Sequence, residues 1–151
     1  MNPALEFAFE LRATVDAIQD VGDTPAGRRR FIPITGGLFE GPKLRGVVLP
    51  GGADAQVIRS DGVTDLVARY MLKSEDGTLI YVVNRGLRHG PAEIMQRLAK
   101  GESVDPALYY FRTTPSFEVV AGPHDWLNRS IFIGTGARHA AEVHVRYFRI
   151  L

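Results

Sequence analysis

Apolar and polar residues alternate along most of this chain, which is typical of β-strands that bury one face and solvate the other. Over residues 5–15 every odd-numbered position is apolar, whereas most even-numbered positions are charged or polar. Residues 63–73 alternate in the same way, with Leu66 and Tyr70 on an apolar face and Asp65 and Arg69 on the other. The pattern predicts two long antiparallel strands.

Turn-forming residues divide the remaining apolar runs into short strands. Asp76-Gly77 predicts a hairpin, Pro33 indicates an edge strand or a bulge, and residues 20–27 are predicted to be a loop because they are rich in Gly, Asp and Pro. The predicted strands cover residues 5–15, 30–35, 44–49, 56–59, 63–73, 78–85, 109–113, 117–120, 126–135 and 141–150.

The helical pattern is confined to one short stretch, from Pro91 to Lys100. Pro91 suits the first helical position, Ile94 and Leu98 share a face, and Gly101 ends the helix. Nine or ten short strands with one short helix predict an all-β fold, either a closed barrel or a sandwich, because closure removes exposed strand edges. Residues 1–151 are predicted to form one domain, since no linker or repeat interrupts them.

The stretch from Gly36 to Asp54 holds six glycines and two prolines around one short apolar strand. We interpret it as a turn–strand–turn unit at the mouth of a small barrel, with Arg45 and Asp54 as its charged residues. A phosphate-binding loop is disfavoured, because Pro42 stands where an amide donor and the Gly-Lys pair belong.

Composition excludes several classes of protein. The chain of 151 residues is 45% apolar and 23% charged, as in soluble globular domains, and its net charge of +1 argues against nucleic-acid or membrane partners. There is no cysteine, so disulfides, thiolate zinc sites and cysteine nucleophiles are ruled out. The N-terminus lacks the features of a signal peptide, and we expect a cytoplasmic protein.

Cofactor and metal motifs are also weak. Gly134-Thr-Gly136 lacks the third glycine and helix of a dinucleotide fingerprint. No two of the four histidines, at positions 89, 124, 139 and 144, have the helical i, i+4 spacing of a metal site. We therefore expect neither a cofactor nor a metal.

Polar residues occur inside otherwise apolar strands, and a barrel lined in this way is a common small-molecule pocket. For each residue the alternative is an exposed ion pair or a structural network. The residues are Arg45, Asp65, Arg69, Tyr70, Asn84, Arg112, Glu118, Trp126 and Asn128, with Asp54 in a predicted turn.

The expected catalytic residues are Asp54 or Asp65 as general base and Tyr110 or Tyr70 as acid or oxyanion donor. Asp54 is preferred, because a carboxylate in a turn at a strand end can reach the barrel mouth. Arg45 or Arg112 would clamp a charge, and Trp126 would form a pocket wall. The full set of expected ligand-binding residues is Arg45, Arg69, Tyr70, Arg112, Glu118, Trp126 and Asn128.

Several short segments occur in order along the chain and are specific when taken together: Gly36-Gly-Leu-Phe-Glu-Gly-Pro42, Pro50-Gly-Gly-Ala-Asp54, Asp76-Gly77, Asn84-Arg-Gly86, Tyr110-Phe-Arg-Thr113, Phe117-Glu118, Trp126-Leu-Asn128, Gly134 and Gly136. Through these segments the chain resembles uncharacterised protein family 0311, also called domain of unknown function 3237. The resemblance implies a single antiparallel β-barrel. One departure is Ala55, where such proteins often carry an aromatic residue; if that residue lines the pocket, this pocket is roomier or differently shaped.

The residue inventory favours a small-molecule-binding barrel that acts as a cofactor-independent acid–base enzyme. Isomerisation, cyclisation, hydration or elimination of an apolar or aromatic carbonyl compound would suit it. The alternatives are a non-catalytic carrier or sensor, and a purely structural barrel. We also expect a homo-oligomer, because both faces of the strand around Phe132 are apolar.

Overall fold

The computed structural model describes all residues, 1–151. It contains ten β-strands, one α-helix and two 3₁₀ turns, at Pro106–Leu108 and Asp125–Arg129. The strands are β1 (Leu5–Val15), β2 (Gln19–Thr24), β3 (Gly27–Glu40), β4 (Arg45–Val48), β5 (Gly52–Ile58), β6 (Thr64–Ser74), β7 (Leu79–His89), β8 (Tyr110–Glu118), β9 (Ile131–Arg138) and β10 (Glu142–Ile150), and the helix is α1 (Ala92–Ala99).

Eight of these strands close into an antiparallel barrel. Following the ladder from β1 through β10, β9, β8, β7, β6, β5 and β3 leads back to β1. The two extra strands are β2, which extends from β3, and β4, which joins the end of β3 to the end of β6. The predicted all-β barrel is therefore confirmed, and so is the single short helix.

The longest strand, β3, corrects two predictions. The predicted loop at residues 20–27 and the predicted short strand at 30–35 form instead a hairpin of β2 with a 14-residue β3. The turn chemistry is confined to the hairpin tip, and Asp20 and Arg28 form an ion pair across the two strands. β3 then pairs with β5 and, after a register shift beyond Pro33, with β1 and β4.

The second half of the chain corrects two more boundaries. Residues 110–118 form one continuous strand, although Pro115 lies inside it. β8 pairs with β9 only at Arg112 and Thr113, so one edge of β8 is unpaired at Pro115, which is where a strand tolerates proline. The next strand begins at Ile131 rather than Trp126, which belongs to a 3₁₀ turn.

One end of the barrel interior is packed with aromatic rings. Phe9 lies at the centre, with its ring centroid 5.5, 5.6 and 5.0 Å from those of Phe39, Phe117 and Tyr147. Tilted ring pairs at these distances are favourable beyond the area that they bury. Leu127, from the 3₁₀ turn, is buried in the same cluster. This end of the barrel is a closed hydrophobic core.

The other end is open inside and covered by α1. The helix packs through Ile94, Met95 and Leu98 against a small cluster that contains Leu66 and Phe111. Helix α1 thus acts as a cover over the end of the barrel where the interior is not filled.

No helix of the chain has the length and apolar character needed to cross a membrane.

Glycines in β9 provide the space for neighbouring side chains inside the barrel. A Cβ atom on Gly136 would lie 2.7 Å from the ring of Phe111, and one on Gly134 would lie 2.2 Å from Oγ1 of Thr113. Both distances are shorter than van der Waals contact, so a larger residue would displace the wall of the interior.

Replacing Phe9 with Ala should destabilise the fold by about 3–5 kcal/mol, because the cavity would lie where no side chain can collapse into it. Phe31→Ala is the matched control, since Phe31 is 41% exposed on the outer wall and Phe9 is 0% exposed. Urea denaturation followed by circular dichroism measures both free energies of unfolding. Equal losses in the two variants would contradict this assignment of the core.

Candidate functional site

Strand β5 brings a carboxylate and an amide into the barrel. Asp54 and Gln56 are two residues apart and both line the interior, and Nε2 of Gln56 donates to Oδ2 of Asp54 at 2.8 Å. Gln56 is 1% exposed, and its Oε1 accepts from Nη2 and Nε of Arg30 at 2.7 and 3.3 Å. The chain of hydrogen bonds Arg30–Gln56–Asp54 holds the carboxylate in one orientation.

The second oxygen of Asp54, Oδ1, is buried and has no hydrogen-bond partner in the chain. Burial raises the pKa of Asp54, while the Gln56 hydrogen bond and the charges of Arg88, Arg138 and Arg30 oppose the rise. A carboxylate with a raised pKa and one free oxygen is a stronger proton acceptor than an ordinary surface Asp.

A cluster of two tyrosines and an amide lines the same space. The hydroxyl oxygens of Tyr70 and Tyr147 are 2.8 Å apart, and Nδ2 of Asn84 donates to Oη of Tyr147 at 3.0 Å. Burial raises the pKa of both tyrosines above the ordinary value, so both hydroxyls are protonated at neutral pH. One O–H is used within the pair, and the other is available to donate to a ligand.

Two cavities meet at this end of the barrel. The inner one, about 50 Å³, is lined by Asp54, Tyr70, Asn84 and Tyr147 together with apolar side chains. The outer one, about 390 Å³, lies between the barrel rim and α1. Three residues line both cavities, which are Val15, Arg88 and Arg138, and Arg30 lines the outer one. A ligand in the outer cavity would therefore reach the inner one past Arg88 and Arg138.

Among these arginines Arg88 is the most deeply placed, at 5% exposed. Its guanidinium lies over the ring of Phe111, with Cζ 5.2 Å from the ring centroid. Burial lowers the pKa of Arg88 to about 10, so the side chain is still cationic at neutral pH. No group of three or more His, Asp or Glu side chains converges in the chain as metal ligands would.

Of the ten residues predicted for the site, the structure brings Asp54 and Tyr70 together in the barrel. Asp54 lies in β5 and not in a turn, and it reaches the cavity because of the alternation along that strand. Ala55, the next residue, pairs with Phe31 and Val67 on the outer wall. An aromatic residue there would not line the interior, so the inference of a roomier pocket was wrong.

Asp65, Tyr110 and Arg112 also lie together, but on the outside. They line a shallow depression of about 530 Å³ on the outer wall, formed by β6 to β9. Arg69 shares this outer face of β6 with Asp65, as predicted, whereas the even-numbered residues of β6 face inward. These four residues are separated from the cavity by the barrel wall.

The last four predicted residues lie at neither cavity. Arg45 on β4 and Glu118 at the end of β8 are exposed. Trp126 is half-buried against Phe132, with the ring centroids 6.0 Å apart, near the closed core. Asn128 binds the backbone of Val119 with both its oxygen and its nitrogen, at 2.9 and 2.8 Å, which is a structural role.

Sequence reasoning missed Arg30, Arg88 and Gln56. The signal that would have found them is the alternation along each strand, because every second residue lies on the same face. Arg30 shares its strand face with Ile32 and Ile34, but it stands at the very start of the predicted strand 30–35. Arg88 shares a face with Asn84, but the predicted strand ended three residues before it. Gln56 likewise shares a face of β5 with Asp54, which sequence reasoning had singled out, and Tyr147 shares a face of β10 with a buried residue.

These features define the class: a closed eight-stranded antiparallel barrel, filled at one end and holding at the other a cavity lined by apolar side chains and a few polar ones. The chain belongs to the family described as protein of unknown function (DUF3237), whose model matches residues 3–150.

Two relatives from Rhodopseudomonas palustris match over the whole chain. A UPF0311 protein of strain TIE-1 is 42% identical over 153 residues, covering 100% of both chains. The crystal structure of a conserved protein of unknown function is 38% identical, with a TM-score of 0.97 and coverage of 100% and 99%. An enzyme from Penicillium herquei, at 21% identity, a TM-score of 0.74 and coverage of 100% and 96%, shares the fold alone.

Asp54→Asn should raise the melting temperature at pH 8 and have less effect as the pH falls toward 3.8, the ordinary pKa of Asp. A raised pKa means that the native state binds this proton more tightly than the unfolded chain, so the ionised carboxylate costs stability above the native pKa. We expect a gain of a few degrees, since about 1 kcal/mol corresponds to about 2–4 °C at this chain length.

Thermal denaturation followed by circular dichroism between pH 4 and pH 8 measures the difference, with Asp65→Asn on the outer wall as the control. A lower melting temperature of Asp54→Asn at pH 8 would show that the arginines outweigh burial and that the pKa is depressed.

Proposed function

We propose that the barrel binds a small, largely apolar carbonyl compound and catalyses proton transfer on it without a cofactor, with Asp54 as the general base. The observation that carries this proposal is the free Oδ1 of the buried Asp54, which shares its cavity with the Tyr70–Tyr147 hydroxyl pair. A base and a hydroxyl donor around one small space form the minimal set for enolisation.

The reaction follows from these positions. Oδ1 of Asp54 accepts the proton from the carbon next to the carbonyl, the C–H bond breaks, and its electron pair moves to the carbonyl oxygen as an enolate. The free tyrosine hydroxyl donates a hydrogen bond to that oxygen as the charge develops. In a β,γ-unsaturated compound the electron pair extends to the γ-carbon, and return of the proton from Asp54 to that carbon gives isomerisation. Departure of a β-substituent with its bonding electron pair gives elimination.

Cavity size supports a division of the ligand between the two spaces. The inner cavity of about 50 Å³ accepts only a small group such as a carbonyl, whereas the outer cavity of about 390 Å³ is in the range of ligand pockets, about 300–1,000 Å³. Apolar side chains, among them Ile18, Ile58 and Leu98, line the outer cavity and suit a hydrocarbon ring.

A non-catalytic carrier or sensor would use the same two cavities, and the raised pKa of Asp54 is the observation that favours an enzyme over it, since binding alone needs no perturbed base. The size of the outer cavity favours both of these ligand-binding functions, enzyme and carrier or sensor, over a purely structural barrel. The fold is compatible with catalysis, because the Penicillium herquei protein of the same fold is described as an enzyme.

We also propose that the barrel associates with copies of itself. Leu38 and Val47 are large apolar side chains that are exposed on its outer wall and pair directly across β3 and β4, and contiguous exposed apolar surface marks interaction sites. Light scattering after size-exclusion chromatography measures the mass. We expect a multiple of the 16.6 kDa of one chain, and a monomer at all concentrations would contradict the proposal.

Asp54→Asn should slow proton exchange at the carbon next to a carbonyl by about 10²–10⁴-fold, the usual contribution of a general base. The probe is 2-tetralone in D₂O, in which loss of the α-proton signal is followed by NMR. The matched control is Asp65→Asn, the other carboxylate that the sequence suggested, which lies on the outer wall and should leave the rate unchanged.

Three outcomes bear against the proposal. Exchange that is equally fast in Asp54→Asn and in the wild type would exclude Asp54 as the base. Loss of exchange in Asp65→Asn alone would move the chemistry to the outer wall. Exchange no faster than in buffer, for 2-tetralone and for open-chain aryl ketones, would exclude these carbonyl compounds as substrates and favour the carrier.

A further inference from the structure

Arg88 and Arg138 line both cavities and Arg30 lines the outer one. None of the three takes part in any of the eight ion pairs of the chain. The inner cavity is lined by one carboxylate, Asp54, and the outer cavity by one, the exposed Asp16. Even with both carboxylates ionised, the two cavities together carry an excess of one positive charge.

Arg88 is the least satisfied of the three. Its side chain is buried over Phe111 and makes none of the side-chain hydrogen bonds found in the chain. A buried cation is costly unless it is paired and hydrogen-bonded. The five N–H donors of this guanidinium are therefore positioned without an acceptor, which is an arrangement suited to an anionic oxygen group from outside the chain.

The other two arginines add charge from either side. Arg30 is held by Oε1 of Gln56, and Nη1 of Arg138 lies 3.5 Å from the carbonyl oxygen of Glu142. Burial is the main cause that lowers the pKa of Arg88 and the charge of Asp54 opposes it, while Arg30 and Arg138 lower it further because like charges repel one another. An anion bound between them would relieve this repulsion.

We propose that the ligand of this barrel is an organic acid, with its carboxylate on Arg88, Arg30 and Arg138 and its apolar body in the outer cavity. The inference rests on the proposed function for the location of the site and adds the charge of the ligand to it. The outer cavity favours an organic over an inorganic anion, because apolar side chains line it together with the arginines. These include Ile18, Ile58, Met95 and Leu98.

Calorimetric titration with 1-naphthoate, its neutral amide 1-naphthamide, and inorganic phosphate tests the proposal. The wild type should bind the naphthoate about 10- to 100-fold more tightly than the amide, which is the effect of hydrogen bonds to a charged group. Arg88→Met should abolish this preference. Arg85→Met is the matched control, because Arg85 lies on the outer face of the same strand and should change nothing.

Arg138→Met is the second variant, in case Arg88→Met does not fold, and it should weaken naphthoate binding in the same direction because Arg138 is only half-buried. Equal affinity for naphthoate and amide, an unchanged preference in both Met variants, or no naphthoate binding at millimolar concentration would each overturn the proposal. If phosphate competed as strongly as naphthoate, the claim that the ligand has an apolar organic body would be overturned.

The two proposals fail separately. Arg88-dependent naphthoate binding together with normal proton exchange in Asp54→Asn would leave the organic-acid site standing and remove the acid–base role. Asp54-dependent exchange together with equal affinity for naphthoate and naphthamide would do the reverse.

Discussion

The alternation of side chains in a closed sheet is the constraint on which the rest of this structure depends. Once eight strands pair around a ring, every second residue of each strand must lie inside, whatever its chemistry. Phe9 and Leu11 on β1 satisfy that rule by building the core, while Asp54 and Gln56 on β5 satisfy it by bringing polar groups to the same interior. The position of the candidate site thus follows from the closure of the barrel together with the alternation of side chains along each strand.

The interior divides along the barrel axis into one part whose apolar packing stabilises the fold and another part whose buried polar groups cost stability. Around Phe9 the rings pack against one another and bury large apolar areas. Around Asp54 and Arg88 charged groups are withdrawn from water with incomplete partners. Tyr147 belongs to both, because its ring packs on Phe9 while its hydroxyl meets Tyr70. The apolar packing at one end thus offsets the cost of burying polar and charged groups at the other.

Much of the fold was predictable, because long alternating runs carry a strong signal. The bounds of β1 agree with the prediction, β6 is shifted by one residue, and α1 lies within the predicted helix. The prediction was wrong where turn residues occur inside strands, as at Pro115 in β8 and in the Gly- and Asp-rich β2. There, pairing with neighbours far along the chain outweighs local propensity.

The sequence by itself determined the all-β architecture and the two faces of β6, and it singled out Asp54 and Tyr70, which line the inner cavity. It did not determine which face of a mixed strand is inside, and so Asp65 and Arg69 were expected in a site that the barrel wall separates from them. Only the tertiary structure brought Arg30, Arg88 and Arg138 together, since they lie on β3, β7 and β9. The physical reason is that barrel closure brings together strands that are far apart in the chain. The alternation of side chains along one strand does not by itself decide which of its two faces is buried inside the barrel.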